Sequence, residues 1–418
     1  MAARYSGMRW VVLAAVLVSL IPARWLVAAS APIDEGIRFL EDRVKNDPDD
    51  FIAQNQLASR YLKKLRQTGD YTWLGAAHRT AERSLVAVPA ARNLGGLATL
   101  AQFQLAAHRF PDAVASAQKL SALAPGKSSS FAILGDALLE HGDRAPAKAA
   151  YEKMDRIDPG SIETHSRRAR LAFLSGDVAS ARDQFMAVLS AAKELLPEGA
   201  ETVAWCDVQL GELAFTQGNW VDAERFYEAA LKAYPDYYAA IDHLAELRAA
   251  REDYAGALAL YQPLAARLPR PEFFQTIGDV LIFQGKLAAA NPWHDRALAA
   301  YLKSVEEGEV HFLHHLASFF SDVREDPAAA TRYARQDLEL RHTAAVHETL
   351  AWALYRGGEF GKSAAEIKLA LSSGDRSAHL FYHAAMIFSA AGDLEQGQRY
   401  LRETLVLNPR YNTFHVHR

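Results

Sequence analysis

The stretch Leu210–Asp236, LGELAFTQGNWVDAERFYEAALKAYPD, contains two helical segments parted by Gly218-Asn219 and closed by Pro235. The following stretch, LAELRAAREDYAGALALYQPLAARLPR (Leu244–Arg270), restates it with every marker displaced by 34 positions: Gly211 to Ala245, Ala223 to Ala257, Tyr227 to Tyr261, Ala230 to Leu264 and Pro235 to Pro269. Self-similarity at a fixed period of this size marks a stacked array, in which each unit buries its apolar face only against its neighbours.

The register extends in both directions. A small residue of the first helix, helix A, falls at Ala58, Ala101, Gly135, Ala169, Gly211, Ala245, Gly278, Ala317, Ala351 and Ala385. In the second helix, helix B, a small residue follows 12 positions later at Ala113, Ala147, Ala181, Ala223, Ala257, Ala290, Ala329, Ser363 and Gly397, with an aromatic four further on at Tyr151, Phe185, Tyr227, Tyr261 and Tyr333. Prolines close units at Pro89, Pro125, Pro159, Pro235, Pro269 and Pro409. Two antiparallel helices cross closely only where both side chains are small. The aromatic is expected to fill the gap against the following repeat, and Pro cannot continue helix B. The markers predict about ten repeats.

The pattern resembles the tetratricopeptide repeat family, whose motif runs Trp-x2-Leu-Gly-x2-Tyr, then Gly, Ala-x3-Phe, Ala and Pro. Leu210, Gly211, Gly218, Ala223, Tyr227, Ala230 and Pro235 match it; Asp207 and Ala214 stand where Trp and Tyr are usual. The resemblance implies an all-α, right-handed superhelical solenoid of stacked antiparallel helix pairs that acts as a scaffold for protein partners. Four spacings depart from 34: the first repeat carries LRQTGDYTWLG between its helices, SAAKELLPEGAETV lengthens the interval before Gly211, the step to Gly278 is one short, and AYLKSVEEGEV precedes Ala317. Such insertions fall in loops or at helix ends, either as tolerated variation or as binding elements.

The chain divides into residues 1–31, an export signal or N-terminal membrane anchor, residues 32–50, a capping helix, residues 51–409, the solenoid, and residues 410–418, a tail. Arg4 and Arg9 precede the apolar run Trp10–Ile21, and small residues follow at Ala28–Ala31, which places the body outside the cytoplasm, periplasmic or secreted. The membrane is a partner only if that segment is retained. Its loss would take the net charge from −4 to −7 by removing Arg4, Arg9 and Arg24. No dense Lys/Arg block is present, which argues against nucleic acid. Cys206 is the only cysteine, so an intramolecular disulfide is excluded, and a buried inert thiol is expected.

No GxSxG elbow, GxGxxG loop or HExxH helix occurs, and GEFGKS (Gly358–Ser363) joins two helices rather than following a strand; neither enzyme chemistry nor a cofactor is implied. Ten of fifteen histidines lie from His294 onward. His311 and His315, and His379 and His383, form i,i+4 pairs, with His347 and Glu348 in the repeat between. Such a set would suit zinc, nickel or copper and gives the alternative reading, a metal-handling or metal-dependent assembly protein. In the family that the pattern resembles, helix A lines the concave groove. By that correspondence the groove carries Asp136, Glu163, Arg170, Glu212, Phe215, Asp242, Glu246, Glu272 and Asp279, then Trp352, Tyr355 and Tyr382. An acidic middle and an aromatic C-terminal part predict a protein or peptide partner with basic character. The short tail leaves the last repeat available for self-association unless it folds back.

Overall fold

The computed structural model describes residues 31–411, with side chains from residue 34 onward; residues 1–30 of the expected export segment and the last seven residues lie outside them. Helix α1 (Ala31–Asn46) is followed by ten antiparallel pairs. The first five are α2 (Phe51–Thr68) with α3 (Thr72–Ala87), α4 (Leu94–Ala106) with α5 (Phe110–Leu123), α6 (Ser128–His141) with α7 (Arg144–Ile157), α8 (Ile162–Leu174) with α9 (Val178–Glu194), and α10 (Ala200–Phe215) with α11 (Trp220–Ala233). Then come α12 (Tyr238–Ala250) with α13 (Tyr254–Arg267), α14 (Pro271–Phe283) with α15 (Leu287–Glu306), α16 (Leu313–Asp322) with α17 (Pro327–Leu338), α18 (Ala344–Arg356) with α19 (Phe360–Ser372), and α20 (Ala378–Ala390) with α21 (Leu394–Leu407). Each helix packs on its pair partner and on the next pair, and no strand occurs among the described residues. This is an α-solenoid of tetratricopeptide-like helix pairs, as the register predicts.

Local chemistry sets the boundaries. Gly176, Gly218 and Gly392 take φ between +71 and +89 at the ends of A helices, a conformation that costs a larger side chain more. The next residue, Asp177, Asn219 or Asp393, then caps helix B by accepting from a backbone N–H three positions on. Each of the six closing prolines lies two residues beyond the end of a B helix.

The small residues sit at the crossings, and all are buried. A Cβ built on Gly135, Gly211 or Gly278 would lie 2.2, 2.3 or 2.2 Å from the ring of Tyr151, Tyr227 or His294 of the same pair. The aromatic therefore packs first on its own helix A. It also meets the following repeat, as expected: Tyr227 stacks on His243 at 5.4 Å and Phe185 meets Trp205 edge-on at 5.9 Å. Asp207, at the position where the family has Trp, is buried, and burial pushes its carboxyl up to about 6 against the pull of Lys193.

Sequence periodicity does not reveal a second feature: the solenoid winds far enough for one turn to touch the next. Backbone N–H groups of His342 and Arg376 donate across this seam to the carbonyls of His141 and Leu174, at 2.7 and 3.0 Å. Arg144 pairs with Asp375, Arg341 lies over the Phe110 ring at 5.4 Å, and Arg410 lies over Trp220 at 5.0 Å. Loops between paired helices on one turn thus meet loops between repeats on the other, about 200 residues along the chain in most cases.

The three long insertions meet at this seam. The first extends α2 and places Tyr71 against Arg270 (4.9 Å), His311 (4.6 Å) and Phe312 (5.5 Å). The second carries Glu201, which pairs with Arg66 of the first insertion at 3.6 Å. The third lengthens α15 and leads into His311 and Phe312. Their extra length serves contacts within the chain.

Candidate binding site

The A helices position the charged side chains singled out in the sequence, and four of the seven acids meet an arginine or histidine from the same or the next repeat. Asp136 accepts from Arg167 (2.6 Å) and from the Tyr151 hydroxyl (2.8 Å), while Arg170 pairs with Glu140. Glu246, 1% exposed, meets His243 at 3.3 Å. Burial disfavours the charged imidazole, but Glu246, Glu212 and Asp242 outweigh it and hold His243 at about 9. Glu272 accepts from Arg270 at 2.6 Å; burial would raise its carboxyl, yet the guanidinium holds it below the usual range. Asp279 meets His294 at 3.0 Å. Asp242 is buried, Glu212 half-buried and Glu163 exposed. Asp136, Glu246 and Glu272 are therefore compensated locally, which reduces the summed negative field expected from the sequence. The missed partners, Arg167, His243 and His294, lie outside the groove positions read from the motif.

The aromatic part lies near the C-terminal end. Trp352 stacks on Tyr355 (4.8 Å) and on His383 (4.0 Å, 8° between planes), and its Nε1 donates to Asp322 at 2.9 Å. Tyr382 packs against Tyr411 at 5.2 Å, and the Tyr411 hydroxyl lies 3.0 Å from His379 Nδ1, so residues 408–411 run back over the last pair. A cavity of about 250 Å3 opens beside this group at the seam. Phe173, Leu174, Phe215, Trp220, Leu380 and Leu407 give it an apolar wall, with Glu348, Asp375, Arg376 and His379 at polar points. A few convergent polar groups on an apolar wall characterise ligand sites. Phe215 is the one groove candidate from the middle repeats that reaches this wall.

The six metal-ligand candidates separate. Glu348, His379 and His383 converge, with ligand-capable atoms within 4.8 Å of one another. His347 turns to Glu366 (2.8 Å), and His311 enters the seam with Tyr71 and His108. His315 lies against His314 and Phe312, 5.8 and 6.4 Å between ring centres. The convergence joins adjacent repeats rather than repeats two apart, because a side chain on helix A reaches only the neighbouring helix A. Cys206 is buried, its thiol donates to the Phe185 carbonyl at 2.9 Å, and burial pushes its pKa up to about 12; a thiol so held is a poor nucleophile. The outer face of α21 exposes Leu394, Leu401, Leu405 and Val406.

No protein-family model matches the chain, and no curated protein matches it. Among solved structures it is similar to a tetratricopeptide repeat protein from Parabacteroides merdae ATCC 43184, with 17% identity, 60% of this chain and 93% of that one covered, and a TM-score of 0.38. It is also similar to a human IFIT1 dimer with PPP-AAAA (13%, 90% and 94%, 0.35) and to yeast Tom70 (13%, 90% and 89%, 0.37). The assignment to helix-pair solenoids rests on the chain's own register and packing.

Proposed function

We propose that this chain is a non-enzymatic scaffold that holds a protein or peptide segment on the inner face of its C-terminal repeats, outside the cytoplasm. The observation that carries the reading is the apolar seam cavity lined by Phe173, Phe215, Trp220 and Tyr411, the last of which packs on Tyr382. Large aromatic side chains supply most of the energy of protein interfaces, and a pre-formed pocket lowers the ordering cost of binding. An apolar side chain of the partner enters the cavity, and its basic groups meet the exposed Glu163 and the half-buried Glu212. A peptide is favoured over nucleic acid because the sequence holds no dense Lys/Arg block. Among the described residues no helix is long and apolar enough to cross a membrane. Export rests on the Arg-flanked apolar run of residues 1–31. The exposed apolar stripe of α21 is where a second copy would stack.

The test compares capture of partners from an envelope fraction by the wild type, by Trp352→Ala with Tyr382→Ala, and by Leu401→Glu with Leu405→Glu. Loss of the same protein only in the aromatic variant supports the reading. Equal capture by all three contradicts it, and loss only in the α21 variant moves the binding face to the end of the solenoid. Fusion of residues 1–32 to a reporter tests export; a reporter retained in the cytoplasm contradicts it.

A further inference from the structure

Where the ninth and tenth repeats meet, two imidazoles turn toward one carboxylate. His383 Nδ1 lies 3.0 Å and His379 Nε2 3.7 Å from the same oxygen, Glu348 Oε1. We propose that Glu348, His379 and His383 bind one divalent transition-metal ion of the zinc type, tying α18 to α20. Zinc held at about 2.0–2.1 Å sets neighbouring donor atoms roughly 3.3–3.4 Å apart in a tetrahedron. The two separations from the carboxylate fall on either side of that value, and all three donor pairs lie within 4.8 Å, so side-chain adjustment completes the set. Two imidazoles and one carboxylate favour zinc, nickel or copper over calcium or magnesium, which take mainly oxygen donors.

Both rings are held in place from outside the cluster. The Tyr411 hydroxyl engages His379 Nδ1 at 3.0 Å, which leaves Nε2 as the nitrogen turned to the carboxylate. Trp352 lies flat on His383, and Asp322 fixes Trp352 in turn. Metal-binding histidines are oriented in this way through their second nitrogen and their outer neighbours. An ordinary ion pair needs one imidazole; here two share one carboxylate, and both are oriented. Glu348 and His379 also line the seam cavity. Three protein ligands leave a tetrahedral position for water or for a donor atom of the cavity's occupant. The ion would therefore place a Lewis-acidic point at the wall where we locate partner binding, although the site itself does not depend on that reading.

The full chain, stripped with chelator, is titrated with Zn2+ alone by calorimetry and with Co2+ by visible absorption. The proposal expects one saturable equivalent and a tetrahedral Co2+ spectrum. His379→Gln and His383→Gln should each abolish both signals, and Glu348→Gln and Tyr411→Phe should weaken binding by about 10-fold or more. His347→Gln and the pair His415→Gln with His417→Gln should bind as the wild type does. Circular dichroism of each variant separates loss of the site from loss of the fold; His347→Gln, whose residue faces Glu366, controls for disturbance of α18. No saturable Zn2+ binding by the folded wild type overturns the proposal. So does binding that survives His379→Gln and His383→Gln, or that vanishes with the tail histidines. None of these readouts requires a partner, so the site and the scaffold reading can fail separately.

Discussion

At Gly211 the fold depends on the absence of one carbon atom. A Cβ there would stand 2.3 Å from Tyr227 Cε1, inside any permitted contact. Gly211→Ala should destabilise the chain by about 1–3 kcal/mol, the usual cost of overpacking a close-packed site. In urea unfolding, adding Tyr227→Leu should recover part of that loss, whereas adding Tyr227→Phe should not, because only the former clears the ring. Simple additivity of both pairs would contradict the contact. His108 provides a second test at this scale. Burial, then the nearby Arg341 and His311, lowers its pKa to about 3. An imidazole depressed in the folded state favours unfolding as it charges. Stability is therefore full above the unfolded value near 6.5 and falls as the pH drops toward 3, by roughly 1–3 kcal/mol at pH 4.5. His108 has a φ of +55, which Asn tolerates, so His108→Asn should preserve the turn and flatten the pH dependence between 6.5 and 4.5. An unchanged slope would mean that another group controls the acid response.

At the scale of elements, the insertions divide what the sequence discloses from what it does not. The repeat register was legible because small residues, Asx caps and prolines keep one phase, and each reports a local steric requirement. The insertions were visible as departures from 34, but their use was not: Tyr71 meets His311 240 positions away, and that meeting depends on the summed twist of the intervening repeats. The charged row shows the same division. Asp136 and Glu246 were readable from the motif, whereas Arg167 and His243, which answer them, stand at other positions of the A helices. The His379/His383 pair was legible from its i,i+4 spacing. Its third member, Glu348, stands on the neighbouring helix A, 31 and 35 residues before the two histidines. Tyr71→Ala removes a ring that joins Arg270, His311 and Phe312, so it should cost about 3–5 kcal/mol and sharpen proteolysis around residues 66–72. Loss below 1 kcal/mol would show that the first insertion is not packed on the later repeats.

Across the whole molecule, closure changes the thermodynamics of an array. A linear solenoid couples only neighbouring repeats, and its ends open independently. Contacts about 200 residues apart instead tie the second to fifth repeats to the eighth to tenth and form the cavity wall between them. Native-state hydrogen exchange at His342 and Arg376 tests this closure most directly. Both amides lie in short connections between repeats, and His342 is exposed as a residue, yet their hydrogen-bond acceptors are His141 and Leu174 on the other turn. Closure predicts slow exchange at both amides, and faster exchange in Arg144→Ala, which removes the pairing with Asp375. Exchange at open-loop rates in the wild type, indifferent to that substitution, would contradict it.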